Sequence, residues 1–427
     1  MKLLDNIKIA LASILLLLSC KGEDRTHEYL ALTQHNNWVF EVMKENYLWA
    51  DTLQTPDERK FFGDPSTFLK NLTSKVKEDK WSYLTVDTIV SDPFERGNFN
   101  HNESYGMDFM LVTDPTGQTT KQYARVVSVF IGSAAKTAGL KRGDYIVSFN
   151  GYKLSSSNVT KLKKGGELQL KVCHLAEDVE NNTFYWNDTV DHVLPASVKK
   201  VYDMVPNNIS YVKMDDTVVG YYCITNMSGD GVSSFSDICP ISQYARQMKN
   251  AGAKELVLDL RLCNQGDMET AQWLASTIVK PELRNGIFAK TIRNKAKSSL
   301  NADYSFLTDV ESLGLDRVFI LTSGYTQGAA EWLIHSLQAV MGTDNVITIG
   351  TKTAGQNVMT DTFRQDNYFI TFHPIVAYVA DANGDYDYAS GIEPTYAINE
   401  FEYLYLDEYG EPSEILFHTA LGVMQAQ

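Results

Sequence analysis

Lys254-Glu255-Leu256-Val257-Leu258-Asp259-Leu260-Arg261 is the stretch that decides the fold. Its apolar residues run on without the strict polar alternation of a half-exposed strand, so both faces of this strand should be covered. A turn at Asn264-Gln265-Gly266 follows, and helical spacing resumes over residues 268–279. Further on, the pattern predicts a strand over 317–322, a helix over 328–340 and a strand over 345–350. Upstream, Val219-Gly220-Tyr221-Tyr222-Cys223-Ile224 is a second buried-strand run, and a helix is expected over residues 233–251. Strand and helix alternate, which predicts an α/β core with a mixed, largely parallel sheet over residues 205–427. Ligands of such sheets bind at the carboxyl ends of the strands. The loops after Arg261, Thr322 and Gly350 are therefore where chemistry is expected.

The whole chain has 427 residues, enough for about three domains at roughly 150 residues each. Charged residues make up 21% and hydrophobic ones 44%, which excludes wholesale disorder. A net charge of −15 argues against nucleic acid as a partner, because phosphate binding needs a positive field. Five cysteines are too few and too scattered for a disulfide scaffold or a zinc ribbon. Cys173, Cys223, Cys239 and Cys263 are expected to be free thiols, mostly buried.

The N-terminus reads as an address. Lys2 and Lys8 precede an apolar run over residues 9–18, about half the roughly 20 residues a spanning helix needs. The run ends in Leu17-Leu18-Ser19-Cys20, which resembles the bacterial lipobox, with Cys20 as the acylated residue. Lys21-Gly22-Glu23-Asp24 resembles the surface-export signal of Bacteroidetes lipoproteins. Residues 1–19 are thus expected to be a signal peptide and 20–30 a tether. The resemblance implies an outer-membrane lipoprotein facing the periplasm or the cell surface, touching the membrane through its lipid alone.

Two further regions precede the core. Residues 31–98 are expected to form a small helical domain, with helices over 35–48 and 65–77 and an aromatic stripe that reads as core. From about Tyr105 the pattern changes to strands, with Met107, Phe109 and Leu111 alternating and later Leu168, Leu170 and Val172. Between them stand Ser133-Ala134-Ala135-Lys136-Thr137-Ala138-Gly139-Leu140-Lys141-Arg142-Gly143-Asp144-Tyr145-Ile146 and the hairpin signal Asn150-Gly151. This wording resembles the bacterial PDZ domain and would place that module at residues 104–198. The resemblance implies capture of peptide or protein C-termini along a sheet edge, at Tyr105, Gly106, Met107, Asp108 and Phe109.

Leu258-Asp259-Leu260-Arg261, Ile320-Leu321-Thr322-Ser323-Gly324 and Gly350-Thr351-Lys352-Thr353-Ala354-Gly355 stand in the order found in the C-terminal processing (tail-specific) serine peptidases. Trp38–Trp49 and Gly391-Ile392-Glu393-Pro394 also resemble segments of that family's Bacteroidetes branch. The resemblance implies a ClpP/crotonase-like core in which a helix-start serine is deprotonated by a lysine, itself oriented by a glutamine. In this chain the nucleophile position is Gly328, the base position Gln356 and the orienting position Thr360. The oxyanion region falls on Asn264, Gln265 and Gly266. All three catalytic side chains are replaced.

A glycine has no atom to attack with, and a neutral amide accepts no proton near pH 7. The leading expectation is a lipid-anchored peptide-binding protein without protease chemistry. One alternative is an active peptidase using Ser323 and Lys352; another is an accessory surface scaffold. Glu331 and His335, four apart on one helix face, are weighed as a metal or acid–base pair. Asp381, Asn383, Asp385 and Asp387 are weighed as a calcium loop. Both readings give way to structural ones, because no third ligand and no distal glutamate fall at the required spacing. No cofactor or metal is assigned, nor any oligomeric state.

Overall fold

The computed structural model describes residues 26–86, 103–198 except 179 and 182, 209–228, 240–365 and 370–426. The signal-peptide, lipobox and Cys20 expectations, and the environment of Cys239, lie outside these residues. Among the described residues, no helix is long and apolar enough to cross a membrane.

The chain divides into two compact units. The larger holds residues 90–293, 298–359 and 377–427. At its centre, strand Ala253–Asp259 is flanked by Thr217–Cys223 on one side and Val318–Thr322 on the other, both parallel to it. Val346–Gly350 and the short Tyr396–Ala397 extend the parallel run, while Ile209–Met214 adds an antiparallel edge. The sheet is therefore mixed and largely parallel, as its continuous apolar strands predict.

Side-chain alternation explains those runs. Leu256, Leu258, Val318 and Ile320 pack into one hydrophobic layer with Ala271 and Leu274 of helix Met268–Ile278 and Leu333 and Leu337 of helix Ala329–Met341. Val257, Phe319, Leu321, Ile347 and Ile349 face the opposite layer, closed by Leu416, Phe417 and Ala420 of helix Ile415–Ala426. The apolar residues of these strands thus meet an apolar layer on either face, so no polar alternation is needed. The expected helix over 233–251 is described from residue 240, as Pro240–Asn250.

The same unit contains a β-rich module with strand order Met107–Thr113, Gln122–Val129, Tyr145–Phe149, Leu168–Asp178, Thr183–Leu194, all antiparallel. Ser133 caps the short helix Ala134–Thr137 by accepting the Lys136 N–H, and Asn150-Gly151 turns the chain between Tyr145–Phe149 and Tyr152–Lys153. Strand Thr183–Leu194 was not anticipated. It is mostly exposed and therefore lacks an apolar period.

Of the described residues, the smaller unit joins 26–86 to 294–297, 360–365 and 370–376. Helix Thr26–Asn46 begins inside the expected tether, and Pro65–Thr73 is capped by Asp64. Phe61 meets the rings of Phe40 and Phe68 at 5.8 and 5.0 Å, so that part of the aromatic stripe is core. The expectation of a purely helical domain over 31–98 needs correction. Tyr83–Val86 pairs antiparallel with Ile370–His373, which pairs with Phe363–Gln365, so late strands complete this unit.

Candidate functional site

Strand Ala253–Asp259 delivers Arg261 into the interior, and the chain then turns through residues 262–267. The Cys263 N–H donates to Leu260 O, the Gln327 N–H to Cys263 O at 2.9 Å, and the Met227 N–H to Gln265 O at 2.8 Å. These bonds fix the turn at 264–266 against the start of helix Ala329–Met341. A Cβ on Gly266 would lie 2.5 Å from Ala329 Cβ and 2.6 Å from Met227 Cβ, so only glycine fits there. The predicted oxyanion turn and the predicted nucleophile position are thus neighbours.

Gly328 precedes that helix with φ 58° and ψ −117°, a backbone conformation that L side chains rarely adopt. A Cβ built on it would stand 3.2 Å from Oε1 of Gln356. The two positions that family wording assigns to nucleophile and base therefore face each other. Gln356 Oε1 accepts from Gln327 Nε2 at 2.8 Å, and its own Nε2 donates to Val358 O at 3.3 Å. Nothing in this pair can attack a carbonyl or take a proton. Thr360, the orienting position, is half-buried at the end of strand Val358–Thr360.

Glu331 organises the arrangement. It is fully buried in the first turn of the helix. Oε1 accepts from Thr353 Oγ1 and from the Gly355 N–H at 2.6 Å; Oε2 accepts from the Gln356 N–H at 2.7 Å and the Gly328 N–H at 3.2 Å. Burial pushes its carboxyl above the usual carboxylate value, against the pull of these four donors. One carboxylate thus holds both catalytic positions in place. A pairing of Glu331 with His335 is not formed.

His335 instead lies with Asp381 and Asp385, the three offering ligand atoms within 4.8 Å of one another. His335 Nε2 sits 2.9 Å from the Asp385 carbonyl oxygen, where it acts as a hydrogen-bond donor and is itself not available as a ligand. Asp381 Oδ1 accepts from the N–H groups of Asn383 and Asp385, which folds the acidic segment into a turn.

The alternative dyad is not assembled. Ser323 Oγ donates to Arg261 O at 2.5 Å and accepts from the Tyr325 N–H. Lys352 Nζ pairs with Glu393 at 2.8 Å, with its side chain 42% exposed. A serine committed to a backbone carbonyl and a solvated ammonium do not form a nucleophile and its base.

The family description for the N-terminal domain of peptidase S41 matches residues 34–83, and that for peptidase family S41 matches residues 219–398. The chain belongs to peptidase family S41. A crystal structure from Bacteroides fragilis NCTC 9343, assigned as an S41 protease, superposes with a TM-score of 0.80. It is 28% identical and covers 91% of this chain and 97% of its own. The carboxy-terminal processing protease CtpA of Bacillus subtilis (strain 168) is 25% identical over 275 residues, 63% of this chain. The chain spans about half the length of that curated relative, 52%.

Beside the S41 site lies a closed network of buried charge. Arg261 holds Asp259 through Nε at 3.0 Å, Glu414 through both terminal nitrogens at 2.8 Å and Glu400 at 2.8 Å. Arg142 of the β-rich module also reaches Glu400, and its guanidinium stacks 4.3 Å from the Tyr409 ring. Burial alone would raise the Glu414 carboxyl; Arg261 outweighs it and brings the carboxyl down to about 2. Sequence reading had placed Arg261 only as the end of a strand motif.

At the edge of the β-rich module, Tyr105 and Gly106 are closely packed. Tyr105 is buried with its hydroxyl on Gly166 O, and a Cβ on Gly106 would strike Ser133 Cβ at 2.1 Å. Met107, Asp108 and Phe109 line a cavity of about 450 Å³ shared with Arg261, Ser323 and Phe401 of the peptidase-like core. Cys173, Cys223 and Cys263 are free and buried; burial pushes the Cys263 thiol up to about 12, which leaves it inert.

Proposed function

We propose that this S41-family protein captures peptide tails without cleaving them and is held at the membrane by acylation of Cys20. One observation carries the reading: Gly328 and Gln356 face each other in an otherwise ordered site that offers neither nucleophile nor base. Loss of both forfeits the covalent route, many orders of magnitude in rate. Strand Met107–Thr113 is a terminal strand of its sheet, which leaves one backbone edge for an added strand. The commitments of Ser323 and Lys352 weigh against the active alternative.

The test is incubation of the full chain in detergent with unstructured peptides, reading binding and cleavage together. Binding without turnover is expected, with terminal amidation weakening binding at least tenfold. Reproducible cleavage abolished by Ser323→Ala or Lys352→Ala overturns the reading. The combination Gly328→Ser, Gln356→Lys and Thr360→Gln is expected to recover weak turnover at best, because a serine at φ 58° carries backbone strain.

A further inference from the structure

The cavity under the edge strand is walled by Phe109, Phe130, Tyr325, Phe401 and Tyr409, and its apolar lining is interrupted by Asp108. Asp108 stands opposite Ser128 across the strand pair, on the face turned away from the core of the module that buries Met107. No cation of the described residues lies within 4.0 Å of its carboxylate. The remaining charged groups at the cavity are Glu103, Lys163, Arg261 and Glu400. Arg261 and Glu400 are spent on each other, and Glu103 is exposed and accepts from Ser197 Oγ. Burial pushes the Asp108 carboxyl up to about 6, with Lys163 and the Ser128 hydroxyl pulling the other way.

A half-buried carboxylate with no direct ion pair, with Lys163 the one cavity cation acting on it and at longer range, is complementary within aromatic walls to a cation on an apolar stem. Such walls attract a cation through their ring faces, and a four-carbon stem covers apolar surface while its charged end finds the acid. A strand added to Met107–Thr113 would send alternate side chains to the face that carries Asp108.

We propose that this cavity is a recognition pocket for a lysine or arginine side chain of the captured peptide, with Asp108 as its counter-ion. The proposal rests on the peptide-capture reading and names the class of peptide. Ionised Asp108 receives the cation, so affinity rises as pH increases through about 6.

The experiment uses the full chain in detergent and peptides in which each position in turn is lysine or norleucine, which is similar in length but uncharged. At pH 7.5 one lysine position should bind at least tenfold tighter than its norleucine partner. The preference should shrink severalfold at pH 5 and vanish in Asp108→Asn, whose cooperative thermal denaturation serves as the check on folding. Lys163→Met, which removes a competing cation, should strengthen the lysine preference. Equal affinities for every lysine–norleucine pair, or a preference that survives Asp108→Asn, overturns the pocket. If no peptide binds, Nα-acetyl-lysine methylamide is titrated against its norleucine analogue. Selective binding lost in Asp108→Asn then upholds the pocket and sinks only strand capture; no selectivity sinks the pocket as well.

Discussion

Two clusters sit at the carboxyl end of the same sheet and differ sharply in the charge they hold. Around Arg261, every charge has its partner: Asp259, Glu400 and Glu414 take up the guanidinium, and Tyr221 donates to Asp259 at 2.6 Å. Around Gly328, the positions that the family resemblance assigns to nucleophile and base hold a glycine and a neutral amide, while the backbone around them is bound to Glu331. The difference follows from what each side chain does for the fold. A fully buried guanidinium among carboxylates cannot be removed without stranding charge. A serine hydroxyl or a neutralised lysine at an open site carries little stability, so its replacement leaves the scaffold standing.

The sharpest way to break this comparison is Arg261→Met. It leaves Asp259 and Glu414 buried without their main partner and should destabilise the protein by about 3–5 kcal/mol, read as a lowered denaturation midpoint. Acid tests the same cluster. The Glu414 carboxyl lies near 2 in the folded chain, below its unfolded value of about 4.3. Its stabilisation is therefore complete above about pH 5 and is lost as pH falls toward 2. Glu414→Gln should flatten that part of the stability–pH profile; an unchanged profile would remove Glu414 from the account.

Glu331→Ala is the second step down. Four donors from Gly328, Thr353, Gly355 and Gln356 lose a buried acceptor. Water entering the gap offsets part of the loss, so a cost of about 2–4 kcal/mol is expected. Amide hydrogen exchange of residues 353–357 should quicken more than that of strand Val346–Gly350. Uniform quickening across both would mean that Glu331 supports the core generally rather than the two catalytic positions.

How much of this was legible depended on whether the cause was local. Strands Ala253–Asp259 and Val318–Thr322 announced themselves because burial on both faces leaves an unbroken apolar run. Helix Met268–Ile278 announced itself through helical spacing after the turn at 264–266, and Asp267 caps it. The pairing of Tyr83 with His373 was not legible, since nothing within a short strand names a partner nearly 300 residues away. At the site, motif order named Gly328, Gln356 and the turn at 264–266, which lie side by side. Glu331 was weighed with His335, whereas its role depends on donors from a loop more than twenty residues on. Asp108 sits within the quoted edge segment, yet only the cavity opposite it distinguishes a recognition group from a solvated acid.

The smallest expected effect bears on the whole contrast. Lys352 is the remaining amine near the base position in sequence, and an active reading requires it to be the base. It pairs instead with Glu393 at 2.8 Å, the two side chains 42% and 71% exposed. An exposed pair of this kind contributes about 0–1 kcal/mol, because water screens the charges and two long side chains lose freedom in forming it. Lys352→Ala should therefore shift stability by less than about 1 kcal/mol and leave peptide binding unchanged. A large loss of stability would show that the ammonium is held in the interior, where its proton is easier to lose. Combined with peptide turnover in the wild type and none in the variant, that result would move Lys352 from the solvated rim into the chemistry and erase the distinction between the two clusters.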